Sequence, residues 1–292
     1  MDETISAAFP YESKFVEVKG SRMHYVEQGQ GDPIVLVHGN PTSAYLWRNV
    51  IPHLAGSGRC IAPDLIGMGK SDKPDIPYRV ADHAEYFAGF IEALGLKNLR
   101  LVLHDWGGFA GGHYAGLHPE NVRAIAMFET IFKPALWSDR TEQTQALFRM
   151  FRGEQGWRKI VEENFFVERV LPGSVMRKLT EEEMDAYREP FREEAWRKPV
   201  YVFPNEIPFD GEPADVAAAV EHYGKAVAAA GIPLLLLTFT PGAIVGENDV
   251  AAFKQLFPGI TVKEMGPGIH FVQEDQPEAI GRAIAGWLAG LG

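Results

Sequence analysis

Four consecutive apolar residues, Ile34-Val35-Leu36-Val37, stop abruptly at His38-Gly39-Asn40-Pro41, and this pattern constrains the architecture most. An unbroken β-branched run has no polar face, so it predicts a strand buried on both sides, as in a parallel sheet covered by helices. The pattern recurs. Residues 60–65 end at Gly67-Met68-Gly69, residues 99–103 at His104-Asp105-Trp106-Gly107, and residues 124–128 at Glu129. Helical patterns separate the runs: 44–54, with Thr42 or Ser43 as cap, then 80–94, then a small-residue helix from about Gly108. Residues 16–18 and 23–26 alternate around Gly20-Ser21 as a hairpin does. The alternation of strand and helix predicts an α/β fold, a mostly parallel central sheet with helices on both faces.

The rhythm breaks after Ile131. Residues 132–215 carry helical patterns and aromatics but no buried strand, and an insertion of that length is usually a functional lid rather than a loop. Rhythm returns with a helix at 216–229, strands at 234–238 and 260–263, and a last helix at 278–288. The expected division is a core of residues 1–131 and 216–292 with an inserted helical cap, residues 132–215.

A chain of 292 residues can bury a full core without disulfides or metal. Its 28 Lys and Arg against 39 Asp and Glu give a formal charge of −11, which argues against nucleic acid and against anionic membrane surfaces. Met1-Asp2-Glu3-Thr4 is acidic where a secretory signal is basic, and the most apolar short stretch, 233–237, cannot span a bilayer. The lone Cys60 forms no internal bridge. A cytoplasmic protein is expected, with neither a nucleic-acid nor a membrane partner.

In open α/β sheets, ligands sit beyond the carboxyl ends of the strands. His38 to Pro41, Asp105-Trp106, Glu129, and His270 in Gly266-Pro267-Gly268-Ile269-His270 all fall at such ends. Asp105 occupies the sharp strand-to-helix turn where many hydrolases carry a nucleophilic serine. The second glycine of that turn is Gly107, while Leu103 stands at the first. Alone, Asp105 reads equally as a helix cap. With Glu129 and His270 at matching ends it reads as a nucleophile.

A carboxylate nucleophile restricts the chemistry. Attack on an ester carbonyl gives an anhydride, whereas attack on a saturated carbon bearing a leaving group gives a stable alkyl ester. Water activated by a general base must then hydrolyse that ester. His270 is the candidate base, and Glu129 the acid that holds its tautomer and stabilises the imidazolium. Asp249, in Gly246-Glu247-Asn248-Asp249, is the rival acid, but it lies about a dozen residues past a strand end, where a helix starts. His38 and His104 read as supports of the site loops. His24, His53, His83, His113, His118 and His222 read as structural. No histidine pair has metal-ligand spacing, so neither a metal nor another cofactor is expected.

Five segments, in collinear order, resemble the haloalkane dehalogenases. They are His38 to Ser43, Asp64-Leu65-Ile66-Gly67-Met68-Gly69-Lys70-Ser71, His104 to Gly107, Phe203-Pro204-Asn205-Glu206-Ile207-Pro208, and Gly268 to Asp275. The likeness runs from about Phe15 to Leu288 and is greatest to the subgroup with an Asp–His–Glu triad and an Asn–Trp halide pair. It implies hydrolysis of a small halogenated alkane by water, giving alcohol, halide ion and a proton. It also implies Asp105 as nucleophile, His270 as base, Glu129 as acid, and Asn40 with Trp106 as halide ligands. The chemistry agrees on the last pair, since the indole and amide N–H groups donate to a departing anion without adding a nucleophile. Their backbone N–H groups are candidates for the oxyanion site. The inserted segment resembles the family's cap, with Phe148, Phe151, Phe165, Phe166, Phe203 and Pro204 as apolar lining, joined by Ile244, Val245 and Phe271.

Two other reactions share the scaffold. Epoxide hydrolases also use an aspartate, with cap tyrosines as proton donors, here Tyr187 and Tyr201. Coelenterazine-type luciferases resemble the dehalogenases through nearly all these motifs, including Asn164 to Glu168. A non-catalytic binding protein would have little reason to carry nucleophile, base and acid together.

Overall fold

The apolar runs without a polar face form the middle of a single eight-stranded sheet in a computed structural model that describes residues 5–291. Met1-Asp2-Glu3-Thr4, the acidic start discussed above, lies outside the described residues. The strands are β1 (Lys14–Val18), β2 (Ser21–Gln28), β3 (Pro33–Val37), β4 (Arg59–Pro63), β5 (Leu99–Asp105), β6 (Val122–Thr130), β7 (Leu234–Pro241) and β8 (Thr261–Gly268). Their spatial order is β1-β2-β4-β3-β5-β6-β7-β8, antiparallel at β1/β2 and β2/β4 and parallel elsewhere.

The period of two explains the unbroken runs. Val35, Val37, Leu101, Leu103, Ile125, Met127 and Leu236 enter one hydrophobic layer. Their neighbours Ile34, Leu36, Val102, Ala124, Ala126, Phe128 and Leu235 enter the opposite one. The first layer is covered by α2 (Val80–Ala93), α3 (Gly107–Leu117) and α8 (Ala214–Ala230). The second is covered by α1 (Ile51–Leu54) and α10 (Pro277–Ala289). The helix expected over 44–54 is broken. Ala44–Trp47 is a 3₁₀ turn capped by Ser43, and α1 follows with Pro52 in its first turn, where the missing N–H does no harm.

Between β6 and α8 the chain leaves the sheet. It forms α4 (Glu142–Arg152), two π-helical segments (Arg158–Glu162 and Phe166–Val170), α5 (Leu171–Gly173), α6 (Glu181–Arg188) and α7 (Lys198–Glu206). A buried ionic cluster ties this insertion to the core. Arg48 of the core meets Glu183 of the insertion at 2.8 Å and Glu274 of the core meets Arg177 of the insertion at 2.6 Å, and the Tyr187 hydroxyl donates to Glu274. Two charges of each sign neutralise the set. After β7, α9 (Glu247–Leu256) begins at Gly246, whose N–H donates to Asp249 at 2.9 Å.

Candidate active site

Asp105 ends β5 with φ +51°, in the left-handed region that an aspartate adopts only where its surroundings hold it. The hold is visible. The register with β6 shifts between His104 and Asp105, and the Asp105 carbonyl accepts the Thr130 hydroxyl at 2.8 Å. Its carboxylate meets the start of α3 and the loop after β3. Asn40 N–H donates to Asp105 Oδ1 at 2.7 Å. Gly39 makes that approach feasible, since a methyl group there would fall 2.0 Å from Oδ1 and 2.5 Å from the Trp106 nitrogen. Leu103, at the place of the usual first glycine, is accommodated from the helix side. A side chain at Gly111 would land 2.3 Å from Leu103 Cδ2. Gly111 therefore makes room for Leu103 in the packing of β5 against α3.

His270 Nε2 lies 3.3 Å from Asp105 Oδ2, and its Nδ1 lies 3.2 Å from Glu129 Oε2. All three side chains are buried. Glu129, at φ +44°, is turned into the loop after β7, where the N–H groups of Ala243, Ile244 and Val245 donate to it at 2.9, 2.8 and 3.3 Å. Asp249 is engaged elsewhere, 2.6 Å from Lys133 Nζ and 3.6 Å from Arg140. Glu129 thus contacts the imidazole from the β6 end while Asp249 braces the loop.

Burial opposes charge on His270, but the hydrogen bonds and charges of Asp105 and Glu129 outweigh it and raise its pKa. Burial likewise disfavours the Asp105 carboxylate, yet His270, His104 and the Asn40 N–H bring its pKa below the usual value. The supporting histidines differ. His104, driven down to about 3 mainly by burial, lies 2.9 Å through Nε2 from the His270 carbonyl. His38 is also lowered by burial, and its Nε2 accepts the Leu65 N–H at 3.0 Å while Nδ1 donates to the Gly39 carbonyl at 2.8 Å.

A cavity of about 610 Å³ opens over Asp105. Asn40, Trp106, His270, Phe148, Phe151, Phe166, Pro204, Ile244, Val245 and Phe271 line it. Phe165 and Phe203 do not, a correction to the sequence expectation. Phe165 packs on Phe151 at 6.0 Å, leaving the wall to its neighbour Phe166. Phe203 is stacked between Trp106 and His83, with ring centroids at 5.5 and 4.5 Å, so it orients the indole from behind. Sequence reasoning missed Leu147 and Thr144, which join Phe148 and Phe151 on the cavity at i, i+3, i+4, i+7 spacing along α4. That spacing was available as a signal. For Phe209 and Ile207, in the loop after α7, none was.

Trp106 Nε1–H is left without a protein acceptor among the described residues. Asn40 Nδ2 donates to the Val200 carbonyl at 3.2 Å. Tyr187 is committed to Glu274, and Tyr201 packs on Trp157, so neither candidate proton donor lines the cavity. Among the described residues no group of three His, Cys, Asp or Glu is placed to hold a metal ion. Among the described residues no helix is long and apolar enough to cross a membrane.

The alpha/beta hydrolase fold family matches residues 32–277. A haloalkane dehalogenase of Sphingobium indicum is 46% identical over 96% of this chain and 96% of its own length. One from Mesorhizobium japonicum is 44% identical over 94% and 90%. The crystal structure of haloalkane dehalogenase DbeA from Bradyrhizobium elkani superposes with a TM-score of 0.93, at 44% identity, covering 96% of this chain and 98% of that one. With this fold and this likeness over nearly its whole length, the chain belongs to the haloalkane dehalogenases, a family of hydrolases.

Proposed function

We propose that this hydrolase cleaves the carbon–halogen bond of small haloalkanes through an ester on Asp105. Asp105 Oδ2, the oxygen not engaged by the Asn40 N–H, attacks the sp³ carbon. The carbon–halogen bonding pair leaves with the halide, which the Trp106 indole N–H and the second Asn40 Nδ2 hydrogen receive. These donors face charge that grows in the transition state, where they contribute most.

Alkylation removes one of the two negative charges that raise His270. The imidazole then releases its proton to solvent, the proton that accompanies the halide as product, and can serve as base. It takes a proton from water, and the resulting hydroxide attacks Cγ of the ester. Oxyanion charge falls on Oδ1, beside the Asn40 and Trp106 amides. Collapse breaks the Cγ–Oδ2 bond, and the departing alkoxide takes the His270 proton to become the alcohol. The new Asp105 carboxyl passes its proton to His270, 3.3 Å away, restoring the carboxylate. Glu129 stabilises the imidazolium. The observation that carries this reading is the contact of His270 with both carboxylates, below a cavity lined largely by apolar side chains.

Residues 132–215 act as a cap that shapes the cavity, on a core of residues 1–131 and 216–292. The lone buried thiol of Cys60 suits a reducing cytoplasm.

Bromide release from 1-bromobutane or 1,2-dibromoethane tests the proposal. The wild type is expected to release one bromide per alcohol formed, and Asp105→Ala none above background. Diol formation from styrene oxide, or light from coelenterazine, without bromide release would overturn it.

A further inference from the structure

The bond between Asn40 and Val200 crosses from the core to the insertion, and its acceptor is unusual. In a helix the carbonyl of residue i−4 receives the N–H of residue i. Within α7 the residue four beyond Val200 is Pro204, which has no N–H to give. The Val200 carbonyl is therefore relieved of its helical donor, and it accepts Asn40 Nδ2 instead, at 3.2 Å.

That bond decides how the amide sits. Asn40 Oδ1 is buried and has no hydrogen-bond partner among the described residues, so no protein donor on the oxygen side fixes the group. Turning the amide over would set Oδ1 against the Val200 oxygen and place an acceptor where a donor stood. Nδ2 carries two hydrogens. One is spent on Val200, and the other is left for the site that Asn40 and Trp106 share on the cavity wall. The residue between, Phe203, stacks on Trp106 from the same helix.

We propose that Pro204 is a positioning residue. By freeing the Val200 carbonyl, it orients the Asn40 amide so that its second N–H faces the leaving halide. This rests on the halide role given to Asn40 above.

Pro204 also touches the cavity, so the N–H must be separated from the side chain. Two replacements do so. Pro204→Ala restores a backbone N–H. Lactic acid at position 204, introduced by nonsense suppression, gives the same methyl side chain with an ester oxygen in place of that N–H. Bromide affinity, read from quenching of tryptophan fluorescence, should weaken about fivefold in Pro204→Ala, the range of one ordinary hydrogen bond. It should stay within about twofold of the wild type in the ester variant, because that backbone again offers Val200 no donor. In an Asn40→Ala background, Pro204→Ala should have no further effect on bromide affinity, an outcome that mere helix packing would not produce.

Equal weakening in the alanine and ester variants would assign the effect to the lost ring and overturn the proposal. So would unchanged affinity in both. If Asn40→Ala itself binds bromide like the wild type, the halide role of Asn40 fails first, whatever Pro204 does.

Discussion

Two halves of the site are held in different ways. Asp105 and Glu129 are fixed from the loops at the ends of the sheet, by the Asn40 N–H after β3 and the Ala243, Ile244 and Val245 N–H groups after β7. His270 and the Asn40 side chain lean on the insertion. The Ser174 carbonyl accepts the N–H groups of His270 and Phe271, both at 3.1 Å, and the Val200 carbonyl accepts the Asn40 amide. The acidic groups are thus built into the core, while base and amide donor depend on backbone oxygens from outside it. On the roles proposed above, the insertion would bear on proton transfer and halide capture as well as on access.

The largest expected effect separates the two chemical steps. His270→Ala leaves Asp105 able to attack but removes the base, so steady-state turnover should fall by about 10⁴-fold or more. Intact-protein mass after incubation with 1-bromobutane should then show an added butyl group on Asp105. An unmodified protein that has consumed substrate would break the division between nucleophile and base.

Next in size is Glu129→Gln against Asp249→Asn. Glu129 touches His270 and Asp249 does not, so the first should lower turnover by roughly 10²- to 10⁴-fold. The second should change it by no more than about tenfold, because its partners Lys133 and Arg140 only brace the loop. Equal losses would show that the β7 loop, not the β6 end, orients the imidazole.

What the chain revealed in advance follows this same split. Strand ends were legible because a run with no polar face must be buried on both sides, and each run stopped at a chemically distinctive residue. Asp105, Glu129 and His270 come together as those ends imply. Backbone partners were not legible, since a carbonyl such as that of Ser174 has the same chemistry whatever side chain it carries. Nor could residue spacing place Phe165 and Phe203. The chain around them passes through the π-helical segment Phe166–Val170 and the proline-bearing α7, where a 3.6-residue period assigns the wrong face. The helix expected over 44–54 failed for a related reason: Pro52 has no N–H for the Arg48 carbonyl, which accepts the Tyr11 hydroxyl instead, so the helix is interrupted and restarts at Ile51.

The ionic cluster sharpens the comparison from the insertion's side. Glu274→Gln removes one of two anions from a set in which only Arg177 reaches solvent and leaves Arg48 and Arg177 with Glu183 alone. Breaking a buried pair from one side costs about 3–5 kcal/mol, so denaturant unfolding at neutral pH should show a loss of roughly 3 kcal/mol. A variant as stable as the wild type would mean that the cluster does not clamp the insertion.

The smallest effect lies in the pH dependence of stability, and its sign follows from His270. In the folded protein its pKa is raised to about 9, mainly by Asp105 and Glu129 acting against burial, so the folded state holds a proton that the unfolded chain has already released. This contribution is fully present below about pH 6.5, the ordinary histidine value, and it is lost as pH rises through about 9. Stability should therefore decline across that alkaline window in the wild type. Asp105→Asn removes one of the two carboxylates that hold the proton and imitates the charge of the alkylated enzyme. Its unfolding free energy should fall less steeply between pH 7 and 9, and the His270 ring should titrate lower by NMR. An unchanged titration would mean that the Asp105 charge does not control the imidazole, and ester formation would then leave His270 no readier to act as base.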